Sequence, residues 1–157
     1  MTLNPVKSIL AVLLLTAGIS HANAQEGIDA LPVSTIFVAS SGMWEQEATS
    51  PQQSEPTRGY YKVVAMRQSD GTAKIYLQQI AYTANGPNLV QNVELEEFTQ
   101  MKAYVTDVRP ESSAGAASVP GLFVTVHLKT DPMQKEPDGW TILIDELGDM
   151  KIEKASN

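Results

Sequence analysis

The side chains here whose types and spacing can do chemistry are few: His127, two acidic clusters, and the five Tyr and two Trp. His127 is the only histidine beyond residue 24, since His21 lies in the N-terminal apolar segment described below. An imidazole serves as a general base when a carboxylate orients it and a nucleophile stands within reach. No Ser sits in a Gly-x-Ser-x-Gly context and there is no Cys, so the sequence offers no nucleophile for a triad. One histidine also falls short of a histidine-based metal site, which takes at least two nitrogen ligands. A structural or surface role is the ordinary reading of His127.

The acidic clusters are Glu94, Glu96 and Glu97, and Asp145, Glu146 and Asp149. A pair of carboxylates about 5–10 Å apart does acid/base work on a glycosidic bond. The same groups suit Ca2+, a cation that prefers oxygen ligands. Neither cluster has EF-hand or nonapeptide-repeat spacing. The ordinary alternative is a charged border that stops neighbouring molecules from pairing with a sheet. Trp44, Tyr60, Tyr61, Tyr76, Tyr82, Tyr104 and Trp140 are the third candidate set, because each offers apolar area and one polar handle. At strand spacing most aromatics are core. Adjacent Tyr60 and Tyr61 must point to opposite faces of a strand, which leaves one of them free to face outward. Gly71, Gly86, Gly121, Gly139 and Gly148 stand singly at expected turns and form no phosphate loop. The sequence therefore assigns no catalytic, cofactor-binding or metal site, calls for no cofactor, and leaves the ligand-binding residues open.

The elements that position these groups read mainly as strands, because apolar and polar residues alternate with period two. Thr35 to Ala39 is a first strand, ended by Ser40-Ser41-Gly42, and Met43-Trp44 opens a second. Residues 45–58 hold no large apolar side chain and are expected to form a mobile loop. Tyr60 to Gln68 and Thr72 to Tyr82 form a hairpin about Ser69-Asp70-Gly71. A two-residue loop there sets Val64 opposite Leu77 and Met66 opposite Ile75. A three-residue loop with a bulge pairs Val63 with Leu77 and Ala65 with Ile75 instead. Both registers bring apolar side chains together.

Thr83 to Asn88 reads as a turn, and Leu89 to Glu96 as a strand with Leu89, Gln91, Val93 and Leu95 on one side. At most two helical turns follow before Ala103. Ala103 to Val108 is a strand stopped by Pro110, and Glu111 to Gly121 a flexible loop rich in small residues. In Leu122 to Lys129 the alternation is sharpest: Leu122, Val124, Val126 and Leu128 face the core. After a polar loop from Asp131 to Gly139, strands at Trp140–Asp145 and Met150–Lys154 flank a turn. The expected fold is all-β and mainly antiparallel: a single small domain, as a sandwich, roll or barrel of seven or eight strands, with at most one short helix.

Residues 1–24 have the three parts of a cleavable secretory signal peptide. Lys7 gives a positive start, Ile9 to Ile19 an apolar run, and Ala22-Asn23-Ala24 a small-residue cleavage site. The run is shorter than the roughly 20 residues that cross a bilayer. No Arg pair precedes it, and no Cys exists to carry a lipid. The expected product is a periplasmic or secreted bacterial domain over residues 25–157, not inserted in membrane. Cleavage removes Lys7 and no acid, moving the net charge from −7 to −8. That balance argues against nucleic acid and against anionic lipid headgroups, and mainly confers solubility. Without Cys there is no disulfide framework, thiol redox chemistry or thiolate metal site.

The function expected from these features is a non-enzymatic binding or cell-envelope accessory domain that takes a protein or small molecule. Two alternatives stand beside it: a carboxylate-dependent hydrolase of envelope glycan, and an inhibitor or chaperone-like partner that works through a strand edge or aromatic patch. Oligomeric state is not legible from the sequence.

Overall fold

The computed structural model describes residues 27–48, 56–111 and 119–156. The candidate signal peptide, residues 49–55 of the loop expected at 45–58 and residues 112–118 of that expected at 111–121 lie outside the described residues, while Glu45, Gln46, Thr57 and Arg58, expected in the first loop, are strand. The chain divides into two units, Met1–Leu31 and Pro32–Asn157. Of the first, residues 27–31 form a turn closed by the Leu31 N–H on the Ile28 carbonyl at 3.1 Å.

The described residues of the second unit form eight strands, β1 Thr35–Gln46, β2 Thr57–Arg67, β3 Ala73–Thr83, β4 Gly86–Glu94, β5 Tyr104–Pro110, β6 Leu122–Lys129, β7 Asp138–Ile144 and β8 Met150–Lys154, and one five-residue helix, α1 Glu96–Gln100. They make two four-stranded antiparallel sheets, each in chain order, β1-β2-β3-β4 and β5-β6-β7-β8. The fold is thus all-β and antiparallel as expected, and it is not a closed barrel.

One hydrophobic cluster takes side chains from both sheets and from α1. Tyr61, Val63, Ala65 and Ile75 enter from the first sheet; Val124, Val126, Leu128 and Ile142 enter from the second. Along β6 the burial alternates residue by residue, and the four inward positions are those the pattern named. Where a strand departs from strict alternation, a bulge explains it. Thr106 is extra in β5 against β6, so Val105 and Val108, three apart, both reach the core.

Three further expectations change. The break at Ser40-Ser41-Gly42 does not end a strand: β1 continues to Gln46 through a register shift between Ser41 and Trp44. Gly42 takes φ 65°, which bends the strand, and Met43 then exchanges both backbone hydrogen bonds with Gly121 just ahead of β6. A single long strand therefore belongs to one sheet and seams it to the other. Second, Pro110 does not stop β5 but closes it, opposite Val124. β5 is an edge strand, where a missing N–H breaks no ladder. Third, the turn at 83–88 contracts to Ala84-Asn85, with Gly86 and Pro87 already in β4.

The β2–β3 hairpin takes the three-residue loop, with Val63 opposite Leu77 and Ala65 opposite Ile75. Gly71 donates to the Gln68 carbonyl at 3.0 Å while holding φ 86°, and Gln68 then pairs with Thr72. The positive φ required at the last loop position is what selects this register.

Candidate binding groove

Crossing the first sheet along its inner face, the rows Val63–Leu77–Val93 and Tyr61–Gln79–Gln91 are register neighbours on β2, β3 and β4. Cover over these rows fades from one side to the other. Val63 and Tyr61 are buried, Leu77 and Gln79 half-buried, and Gln91 exposed. Facing them from the second sheet are Ile144, Gly148 and Met150, at the end of β7, the turn after it and the start of β8. The result is a groove with a cavity of about 350 Å3. A second hollow of about 450 Å3 adjoins it, shares Tyr61, Gln79, Gln91 and Gly148, and adds Glu45, Asp145 and Glu146 at its mouth. Volumes of this order are typical of small-ligand sites.

The groove's chemistry is apolar walls with a few convergent polar groups. Leu77, Val93, Ile144 and Met150 supply the apolar surface. Gln79 and Gln91 each bring a carboxamide, which both donates and accepts hydrogen bonds. Burial pushes the Tyr61 phenol above its ordinary pKa, so it is a neutral donor and acceptor. No nucleophile or general base lines the inner cavity. Such a set can hydrogen-bond amide or hydroxyl groups.

The residues singled out by sequence fall in several places. Glu94, at the end of β4, accepts from Lys74 Nζ at 3.0 Å and Thr99 Oγ1 at 2.8 Å, with the Tyr76 hydroxyl at 3.4 Å. The hydrogen bond from Lys74, then that from Thr99, holds its carboxyl below the usual carboxylate range. A glycosidase general acid needs the opposite shift. Glu96 and Glu97 are exposed in the first turn of α1, where negative charge suits the helix dipole. Asp145 organises the β7–β8 turn: its Oδ1 accepts from the N–H groups of Leu147 and Asp149, both at 2.9 Å. Among the described residues no group of three His, Asp or Glu is placed to hold a metal ion.

His127 lies on the outward side of β6, opposite Asp107 and Gly139 in register. The Asp107 carboxylate is engaged by the Val108 N–H and by Arg109, not by the imidazole. His127 Nδ1 is buried and has no hydrogen-bond partner among the described residues.

The aromatic set divides by strand parity. Trp44 and Tyr61 turn inward, Trp44 donating from Nε1 to the Ile80 carbonyl at 3.1 Å, and both line the groove region. Tyr60 and Tyr82 meet on the outer face with ring centres 5.4 Å apart. Trp140 packs edge-on against Phe98. Tyr61 is thus the member that bears most directly on the groove. Sequence reasoning missed Gln79 as a groove residue. Its signal was a polar residue at the fourth position of the inward series Ala73, Ile75, Leu77, Gln79, Ala81.

Compared with protein-family profiles, with curated proteins and with solved structures, the chain matches none of them. Its function must be argued from the groove itself.

Proposed function

We propose that this chain is an exported, non-enzymatic binding domain of the bacterial periplasm or exterior, released by cleavage near Ala24, that holds its ligand in the groove between β3–β4 and the β7–β8 turn. The observation that carries the reading is the composition of that groove, apolar walls with two carboxamides and a neutral phenol. Among the described residues no helix is long and apolar enough to cross a membrane. A carboxylate-dependent hydrolase has less support, because Glu94 is held ionised by its neighbours and Asp145 is committed to a turn.

Two measurements test this. Intact-mass analysis of the chain expressed in a bacterium should find a periplasmic species beginning at Gln25; a chain that begins at Met1 and stays in the cytoplasm overturns the export half. A fragment screen by amide NMR should shift the signals of Leu77, Gln79, Gln91 and Val93 together. Hits that cluster elsewhere, or turnover abolished by Glu94→Gln, overturn the binding half.

A further inference from the structure

A sheet's edge strands are templates for another chain, and folded proteins guard them with Lys, Arg, Pro or a bulge. All four edges here carry some such feature, and they differ in how much of the strand it covers. β1 meets the segment before β6 through the Met43–Gly121 bridge. β5 carries Arg109 and Pro110, and β8 carries Lys151 and Lys154. β4 is different. It has no basic residue, and Pro87 and the extra residue Val90 interrupt only its first part. From Gln91 to Glu94 it pairs regularly with β3 on one side. Leu89 and Val90, immediately before, are both about half exposed, at 52% and 51%. The free edge and the groove are the same place: Gln91 and Val93 belong to both.

We infer that the groove takes an extended, basic segment of a partner polypeptide, which adds as a fifth strand along β4. This rests on the binding reading above and names the ligand class. In an added strand alternate side chains face one way. One set would enter the cavity of about 350 Å3 and pack on Val93, Ile144 and Met150. Carboxamides at 79 and 91 match the amide groups of a polypeptide better than they match a purely aliphatic ligand. Charge then selects the partner. Glu45, Asp145 and Glu146 border the groove mouth, and no basic residue lines it. Arg58, 3.7 Å from Glu45, offsets part of that charge and leaves an acidic excess. A second copy of this chain carries the same acidic border and a formal charge of −7, so edge-to-edge self-pairing brings like charges together. A lysine-bearing segment instead meets charges of opposite sign.

The test is an NMR titration of the chain with capped Lys-Val-Lys-Val-Lys-Val, alongside its Glu-Val counterpart and a version with Pro at alternate positions. The Lys-Val peptide should bind and slow amide exchange at Gln91 to Glu94 by about tenfold or more at saturation. Glu146→Lys should weaken it about fivefold, and added salt should weaken it further. Met150→Trp, at an exposed position, should fill the cavity and weaken binding at least as much. The Pro version should not bind, because it lacks the N–H groups a ladder needs. Equal affinity for the Glu-Val peptide, protection at β8 in place of β4, or a dimer that protects β4 without peptide each overturns the inference. If small-molecule fragments shift the groove while no peptide binds, the polypeptide claim falls and the binding reading stands. If neither shifts it, both fall.

Discussion

Replacing Phe98 by Ala should remove about 3–5 kcal/mol from the stability of the Pro32–Asn157 unit. The helix that carries Phe98 is five residues long, with no side-chain cap at its start. A helix this short does not hold itself in water. It is fixed at both ends to β3: the Leu95 N–H donates to the Ile75 carbonyl at 2.8 Å, and the Ala73 N–H to the Ala103 carbonyl at 2.7 Å. Between these points Phe98 is the one buried helical side chain, fully covered and edge-on to Trp140 with ring centres 6.5 Å apart. Truncating a buried Phe costs about 3–5 kcal/mol. That is a large share of the roughly 5–15 kcal/mol that stabilises a domain. With a urea slope of about 2 kcal/mol/M, the unfolding midpoint should fall by about 1.5–2.5 M. Phe98→Leu, which keeps most of the volume, should cost about 1.5 kcal/mol or less. Urea titration followed by fluorescence and far-UV circular dichroism reads both variants. If Phe98→Ala costs less than about 1.5 kcal/mol with an unchanged slope, the cavity argument is wrong and α1 does not close the core.

Four further outcomes follow from the same geometry. A Cβ at Gly59 would stand 1.7 Å from the Ile80 carbonyl oxygen, so Gly59→Ala must push β2 from β3; a loss of about 3 kcal/mol or more in urea is expected, and a neutral variant refutes the close approach. Asp145→Ala strips two N–H groups of their acceptor and should cost about 1 kcal/mol, as a lost cap does, whereas neighbouring Glu146→Gln should cost almost nothing by the same urea assay. Because the folded-state pKa of Glu94 is depressed, its stabilising contribution is complete above the ordinary carboxylate range and is lost as pH falls through the folded value. Urea midpoints for Glu94→Gln should therefore lie below wild type at pH 7 and converge with it as pH falls below the ordinary carboxylate range; a constant gap contradicts the ion pair. Gln79→Leu should raise thermal stability slightly, by about 0.5–1 kcal/mol, while weakening whatever occupies the groove.

Strand identity was legible wherever one face is buried and the other is not. β6 declares itself because Leu122, Val124, Val126 and Leu128 alternate with exposed or half-exposed neighbours without interruption. Bulges hid the rest, because an extra residue reverses the parity of everything after it. Leu89 looked inward by alternation with Gln91, yet Val90 is the extra residue, so Leu89 pairs with Ile80 and is half exposed. Likewise Gly42 reads as a terminator in the sequence but acts as a bend: Met43 bridges Gly121, 78 residues on, and β1 goes on pairing with β2 from Trp44. Alternation is a local signal, and such pairings are not local. The acidic clusters misdirect for a related reason: composition gives carboxylates but not their partners, and Lys74 and Thr99 are the partners that make Glu94 structural.

The groove follows from topology more than from any motif. Both sheets are meanders in chain order, and the seam between them is made near their first strands, where β1 reaches Gly121. Nothing comparable ties the last strand of one to the last strand of the other among the described residues. Side chains facing each other there have a choice that those near the seam lack. Had positions 79 and 91 been Leu or Val, the inner rows of β3 and β4 would have continued the pattern of Val63 and Leu77 and extended the apolar surface. They are Gln in both cases, directly opposite each other, where a polar pair adds less to folding than an apolar pair would. On the proposed reading, the half-buried Gln79 and its exposed partner Gln91, beside the β4 edge, are there for what the groove would receive.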